Sequence, residues 1–325
     1  MTILITGVAG FIGSNLADAL IGQTGISIIG IDNFDDFYPR SIKQENLAGL
    51  LTRSNFRFIE GDIRDTAAID SIFQDNKIDI VIHLAAKAGV RPSMENPLNY
   101  ISSNVEGTTN LLESMRRHGV NKMVFASSSS VYGENEKIPF SETDAIDRII
   151  SIYAATKLSG EKITKVYHDV YGFSIVNLRF FTVYGERQRP DLAIHKFFKS
   201  ILNGEPITVY GDGSTSRDYT YVKDIVSGII ASKNYVLQHD HCYEVMNLGN
   251  NDPVRLSDLI SHIEQVTGRK ARLEHKPIPT GDVPRTYADI SKAQQLLGYS
   301  PTTHIGEGLR AFYTWYEQTQ LTKSK

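Results

Sequence analysis

Tyr153 and Lys157 stand four residues apart in SIYAATKLSGEK, at the start of a segment with helical periodicity. On a helix that spacing turns both side chains to one face. A phenol ordinarily loses its proton near pH ~10. An adjacent ammonium, together with the positive nicotinamide ring of an oxidised dinucleotide, would stabilise the phenolate and lower that value. Tyr153 then qualifies as a general base at neutral pH, and Lys157 can also hold the nicotinamide ribose hydroxyls. The bland alternative is an exposed helical tyrosine beside a solvated lysine.

Upstream, KMVFASSSSVYG places four serines, 127–130, where an apolar run ends. If that run is a buried strand, the serines emerge at its carboxyl end. A hydroxyl there can hydrogen-bond the substrate oxygen whose proton Tyr153 takes. Ser128 is the candidate, with Ser127 and Ser129 as neighbours; a polar exit from a strand is the alternative.

A second constellation points to the cofactor. LITGVAGFIGSN sets Gly7, Gly10 and Gly13 at the join of a strand and a helix. Gly7 permits a tight turn, Gly10 lets backbone amides approach a pyrophosphate, and Gly13 lets helix pack closely on strand. The helix N-terminus then presents free N–H groups to the phosphates. The spacing is GxxGxxG rather than GxGxxG. Asp32 ends the next strand in IIGIDN. A carboxylate there accepts bonds from the adenosine ribose hydroxyls and repels a 2′-phosphate, so NAD is expected rather than NADP. Otherwise Asp32 is a turn residue before Asn33. Asp62 ends the following strand and can reach an adenine amino group. Leu84 and Ala85 are small enough to lie beside a cofactor, although core packing explains them equally well.

These residues need a frame. Short runs rich in Ile, Val and Phe, at 2–6, 26–32, 56–62, 78–86, 122–128 and 174–180, alternate with helical segments at 11–22, 98–118 and 152–171. Runs that are apolar on both faces read as buried parallel strands covered by helices. The alternation predicts an α/β fold with a doubly wound parallel sheet of Rossmann type. The rhythm breaks after 180. Residues 1–180 are read as the NAD-binding domain, and 181–325 mainly as a smaller α/β substrate domain, with some later segments crossing back. Helices are expected at 189–204, 222–235, 256–268 and 305–319, and strands at 206–213 and 243–250.

The bulk numbers narrow the class. The chain has 325 residues and a net charge of −3 with signs interspersed, so no nucleic-acid or membrane surface is expected. Its one cysteine, Cys242, excludes an internal disulfide and a cysteine metal cluster, and no metal is expected. The opening MTILITGVAG lacks the regions of a signal peptide, and no run approaches ~18 apolar residues. The expectation is a cytoplasmic protein.

In order along the chain, TGxxGxxG, Asp32, SSSSVYG, YxxxK and RFFTVYGERQRPD resemble the extended short-chain dehydrogenase/reductases, and specifically their nucleotide-sugar epimerases and dehydratases. The resemblance implies a tightly held NAD, a catalytic trio carried onto Ser128, Tyr153 and Lys157, and a homodimer formed through helices 98–118 and 152–171. It further implies cofactor contacts for Phe11, Ile12, Asn33, Ile63, Ala86, Lys87 and Asn104. Dehydratases of this superfamily carry TDEVYG at the serine stretch, and UDP-glucuronate decarboxylases carry a glutamate two residues before the tyrosine. Here Ser129 and Ser130 leave no acid to take a proton from carbon 5, and elimination is disfavoured.

The segment RFFTVYGERQRPD and the stretch AAKAGVRPSMENP resemble the UDP-glucuronate 4-epimerases. That likeness assigns the sugar carboxylate to Thr182, Arg189, Ser129 and Ser130, and it places Arg91, Ser128 and Tyr153 at the substrate. A guanidinium makes a bidentate, charge-assisted pair with a carboxylate and discriminates against a neutral hexose. Arg217 is expected to clamp the pyrophosphate, and Asp282 to reach a uridine ribose hydroxyl; what Arg285 alters is not legible. The expected reaction is inversion at carbon 4 of UDP-glucuronate, giving UDP-galacturonate through a transient 4-keto sugar. The rivals are a UDP-galactose or UDP-N-acetylglucosamine 4-epimerase, a UDP-glucuronate decarboxylase, and a non-enzymatic NAD sensor on the same fold.

Overall fold

The computed structural model describes residues 1–277 and 283–323. In chain order its elements are β1 (Thr2–Thr6), α1 (Phe11–Ile21), β2 (Ser27–Asp32), α2 (Arg40–Leu47), β3 (Phe56–Glu60), α3 (Thr66–Asp75) and β4 (Ile80–His83). There follow α4 (Val90–Glu95), α5 (Pro97–Ile101), α6 (Gly107–Arg117), β5 (Lys122–Ser128), α7 (Ile152–Tyr171), β6 (Ser174–Phe180) and β7 (Thr182–Tyr184). The remainder comprises α8 (Ala193–Asn203), β8 (Pro206–Tyr210), β9 (Ser216–Tyr221), α9 (Val222–Gln238), β10 (Tyr243–Leu248), β11 (Pro253–Arg255), α10 (Leu256–Thr267), β12 (Arg272–Lys276), α11 (Ser291–Leu297) and α12 (Ile305–Lys323).

Seven strands form one parallel sheet in the order β10-β6-β5-β4-β1-β2-β3. The chain order reverses between β1 and β4, and the crevice beyond the carboxyl ends of those strands is where an open α/β sheet binds ligands. Successive residues of a strand feed opposite cores. Ile3, Ile5, Ile80, Ile82, Val124 and Val176 pack on one face, while Leu4, Val81, Met123, Phe125 and Ile175 pack on the other. This is why those runs are apolar at every position. The second half of the chain returns to this sheet: β10 pairs with β6, and α9 packs on α1, β5 and β6. The remaining strands form a three-stranded sheet, β11-β9-β7, and a parallel pair, β12-β8.

α7 carries the Tyr-Lys pair and is held at both ends. Ser151 caps it, its hydroxyl accepting from the amide of Ala154 at 3.1 Å, and Gly172 ends it with φ 70°. Gly160 sets its depth, because a Cβ there would lie 2.4 Å from Cζ of Phe125 in β5. The helix therefore lies almost directly on that strand, and polar side chains one turn apart reach strand backbone.

Several elements escaped sequence reading. The helix expected over 98–118 is broken into α5, a π-helical turn at Ser102–Glu106, and α6, with α4 before them. β7 is only three residues long, and β12 is exposed at every position, so neither shows an apolar run. β9 reads SRDYTY and is stabilised by side-chain hydrogen bonds as well as by burial.

Candidate active site

The glycine turn is tight for a steric reason. Gly7 has φ 71°, and a Cβ on it would lie 2.8 Å from the amide nitrogen of Ala85; one on Gly13 would lie 2.2 Å from the carbonyl oxygen of Gly7. A relay of hydrogen bonds holds the facing wall. The amide of Ala85 donates to Thr6 Oγ1 at 3.1 Å, and Thr6 Oγ1 lies 2.7 Å from Nδ1 of His83. Nε2 of His83 lies 2.9 Å from Thr108 Oγ1, which gives its own proton to the carbonyl of Asn104 at 2.6 Å. That last bond makes Nε2 of His83 a donor. Burial drives the pKa of the imidazole down to about 3, so it is neutral and Nδ1 accepts.

Asp32 lies beneath the turn, accepting from the amides of Ala9 at 3.1 Å and Phe34 at 2.9 Å. Burial raises its pKa and Lys43, 3.9 Å away, opposes that. Asp62 is already engaged, accepting from Arg64 through Nε and Nη2 and from Asn33 Nδ2. The hydrogen bond from Arg64 is the chief cause that depresses its pKa to about 2.

β5 and α7 meet through polar rungs. Nζ of Lys157 donates to the carbonyl of Ala126 at 2.7 Å, and Ser127 Oγ donates to Oε1 of Glu161 at 2.5 Å. Ser128 Oγ donates to Oγ of Ser130 at 3.1 Å, accepts from the amide of Ser130, and lies close enough to the phenol of Tyr153 to favour its ionised form. Burial raises the pKa of Tyr153; the Ser128 hydroxyl and the charge of Arg189 pull it down. Lys157, 4 % exposed, is lowered to about 7 by burial against the opposing charge of Glu161. In the protein by itself, then, Ser128 and Arg189 are the groups that favour the phenolate, and the lysine is turned to the strand.

The far wall carries Thr182 and Arg189. Arg189 makes a fork with Asp191, Nε to Oδ1 at 3.0 Å and Nη2 to Oδ2 at 2.8 Å, and its guanidinium carbon lies 5.0 Å from the ring centre of Phe37.

One cleft is lined by Gly7, Gly10, Phe11, Ile12, Gly13, Asp32, Asn33, Asp62, Ile63, Leu84, Ala85, Ala86 and Lys87, and also by Ser128, Ser130, Tyr153, Lys157, Thr182 and Arg189. Four expected site residues stand outside that lining. Asn104 lies behind it and grips the backbone of Lys87, accepting from its amide at 2.8 Å and donating to its carbonyl at 2.9 Å. Ser129 begins the short 3-10 turn Ser129–Tyr132. Arg91 sits 4.9 Å over the ring of Tyr210. Arg217 donates to the carbonyls of Ser216 at 2.9 Å and Pro284 at 3.4 Å. Asp282 lies outside the described residues. Sequence reasoning missed Phe37, Asp191, Glu161 and Arg179. Glu161 had a signal, since it continues the four-residue spacing of Tyr153 and Lys157.

The cleft fits a dinucleotide on its own evidence. The glycine turn has no room for side chains, the first helix points its N-terminus there, and Asp32 waits at the end of β2. Among the described residues, no group of three or more His, Cys, Asp or Glu side chains could hold a metal ion, and no helix is long and apolar enough to cross a membrane.

Comparison with known proteins adds names to this geometry. The pattern of the family described as GDP-mannose 4,6 dehydratase matches residues 4–312. The UDP-glucuronate 4-epimerase of Thermodesulfobacterium geofontis is 43 % identical over 323 residues, covering 99 % of this chain and 98 % of its own. The crystal structure of UDP-glucuronic acid 4-epimerase from Bacillus cereus, in complex with UDP-glucuronic acid and NAD, superposes with a TM-score of 0.92 at 40 % identity. The match covers 98 % of this chain and all of that one. A UDP-N-acetylglucosamine 4-epimerase from Methanobrevibacter ruminantium, in complex with UDP-N-acetylmuramic acid, superposes at 0.89 with 32 % identity, covering 98 % of each chain.

Proposed function

This chain belongs to the GDP-mannose 4,6 dehydratase family, and within it we propose that it is an NAD-dependent nucleotide-sugar 4-epimerase interconverting UDP-glucuronate and UDP-galacturonate. The observation that carries the reading is the meeting of Tyr153 and Arg189 in one cleft, close enough for each charge to shift the other's ionisation. A proton acceptor for a secondary alcohol and a receptor for a carboxylate thus face the same small volume. The named relatives and the uronate-bound neighbour support the same substrate.

The glycine turn, Asp32 and Lys157 would hold NAD, which when bound supplies a reversible acceptor for the hydride of carbon 4. Tyr153 takes the proton of the 4-hydroxyl. Ser128, beside that phenol, steadies the oxygen. Arg189 and Thr182 keep the carboxylate in place, which opposes loss of carbon dioxide from the 4-keto sugar. The keto sugar turns about its link to the pyrophosphate, and Tyr153 returns a proton once the other face has been reduced. UDP binds uniformly through these steps, so its contacts contribute affinity rather than turnover. No carboxylate stands at Ser129 or Ser130 to drive elimination.

Residues 1–180 are assigned to NAD and 181–325 mainly to the sugar nucleotide, with α9 and β10 crossing back. Asn104, Ser129, Arg91, Arg217 and Asp282 keep the roles that resemblance implies, as proposals. A homodimer is proposed through α4, α5 and α7, whose surfaces expose Leu98, Met94, Ile101, Val166, Val170 and Tyr171; apolar patches of this kind mark contact faces. Sedimentation as a monomer at micromolar concentration would remove that part of the proposal. A cytoplasmic setting is proposed from the single thiol.

The test is direct. Purified protein mixed with UDP-glucuronate, with no reductant added, should form UDP-galacturonate by NMR. Formation of UDP-xylose and carbon dioxide would reassign it as a decarboxylase, and turnover of neutral UDP-hexoses alone would reassign it as a galactose-type epimerase. Tyr153→Phe should lower turnover by about 10²–10⁴-fold, the range of general acid–base catalysis, while UDP still binds.

A further inference from the structure

Beneath the catalytic face lies a buried ion pair that the proposed mechanism does not use. Arg179 of β6 donates to Glu161 of α7 through Nε at 2.9 Å and Nη2 at 2.8 Å, and the two side chains are 5 % and 4 % exposed. Glu161 also accepts from Ser127 Oγ at 2.5 Å. Its position follows from helical spacing, since Tyr153, Lys157 and Glu161 are four residues apart in sequence. These side chains therefore share one face, two turns long, against the end of β5. Three consecutive strand residues meet them: Ser128 lies by Tyr153, Ala126 meets Lys157, and Ser127 meets Glu161.

From this geometry we infer that Glu161 is a positioning residue for the reaction: it pins β5 directly beneath Ser128 and supplies the negative charge that keeps buried Lys157 cationic. The inference rests on the proposed roles of Tyr153 and Lys157. A buried ammonium loses hydration and tends to give up its proton unless an anion is near. The groups facing Lys157 are few. On its own helix they are Tyr153 and Glu161. β4 presents His83, kept neutral by burial and set between two threonine hydroxyls. β5 presents the carbonyl of Ala126 and the ring of Phe125, 5.3 Å from Nζ. β6 presents Arg179, which faces Glu161, and β10 presents Tyr243, whose hydroxyl donates to the backbone carbonyl of Glu161 at 2.7 Å. Glu161 is the anion of this set. Its effect on Lys157 is in the direction the inference needs, against the desolvation that lowers the lysine to about 7.

Removing that charge has a definite sign. Glutamine at 161 keeps one oxygen to accept from Ser127 and from one arginine N–H, turns an amide NH2 toward the other, and leaves the arginine's positive charge uncompensated. Lys157 then loses its proton at lower pH, and with it the ammonium that would hold the nicotinamide ribose beside Tyr153. A purely structural role would scale turnover equally at every pH.

The experiment is the pH profile of kcat for UDP-glucuronate epimerisation by the NAD-loaded enzyme. Glu161→Gln should move the alkaline limb down by at least one pH unit and lower kcat about tenfold or more at pH 8.5, with KM changed less than threefold. Glu161→Gln combined with Arg179→Met removes both charges, and it should keep a smaller downward shift. The double variant also serves if the single one fails to fold. A limb at the wild-type pH in a folded variant, whatever the size of kcat, overturns the inference. Lys157→Met separates the two levels: retained wild-type turnover there would sink the proposed roles of the Tyr-Lys pair instead.

Discussion

Two arginine–carboxylate forks serve the same cleft from different depths. Arg179–Glu161 lies in the buried layer behind the lining, its floor, and Arg189, paired with Asp191, lines the cleft at its rim; their bond lengths are nearly the same, 2.8–2.9 Å against 2.8–3.0 Å. Their surroundings differ. In the floor both partners are almost fully excluded from solvent, whereas on the rim the side chains retain 17 % and 33 % exposure. The floor fork is also closed by further partners, Ser127 on one side and the ring of Tyr132, 4.8 Å from the guanidinium, on the other. The rim arginine lines the cleft itself, and the ring of Phe37 covers its face. Identical chemistry thus serves two ends. Where solvent is excluded and both carboxylate oxygens are matched, the fork fixes structure, although Nη1 of Arg179 is buried without a hydrogen-bond partner among the described residues. Where one edge of the guanidinium faces an open cleft, it is available to a ligand.

The widest separation should come from breaking the floor. Arg179→Ala leaves a carboxylate buried without its partner, which typically costs about 3–5 kcal/mol; urea denaturation should show that loss. Arg189→Ala should cost little stability but weaken UDP-glucuronate binding by about 1.5–3 kcal/mol, the worth of hydrogen bonds to a charged group. Calorimetry should find UDP binding unchanged. If the two variants behaved alike in both assays, the distinction between floor and rim would fail.

A finer test uses His83, also in the floor. Its pKa in the folded protein, about 3, lies below the ordinary imidazole value of 6.5. The unfolded chain therefore binds the proton more readily, and stability falls as pH drops from about 6.5 towards 3. Thermal melts between pH 7 and 4 should slope downward, and His83→Gln should flatten that slope. An unaltered slope would mean that the imidazole is not the group responsible. The smallest effect belongs to Asp62 on the rim. The Arg64 bond holds its pKa near 2, so its contribution is complete above the ordinary carboxylate range and disappears only as pH falls through about 2. Because both partners remain partly solvated, Asp62→Asn should shift the melting temperature at pH 7 by no more than a degree or two.

Much of the fold was readable because burial writes itself into composition. Residues 122–128, 152–171 and 174–180 match β5, α7 and β6 residue for residue, since each is a run whose period is set by what it packs against. The strands that escaped are those where hydrogen bonding or exposure replaces apolar burial. β9 is an example: its Asp218 is fully buried and accepts from the amides of Asn250, Asn251 and Ala288.

The sequence by itself determined the class of chemistry. Glycine spacing, an acid at the end of the second strand, serines without an acid among them, and a Tyr-Lys pair are local statements, and each depends only on neighbours a few residues away. The tertiary structure alone decided which charges meet. Arg179 and Glu161 are eighteen residues apart and Arg189 lies beyond both. Nothing in their spacing tells which arginine is sealed and which is presented, because solvent exclusion is set by strands and helices that arrive from elsewhere in the chain.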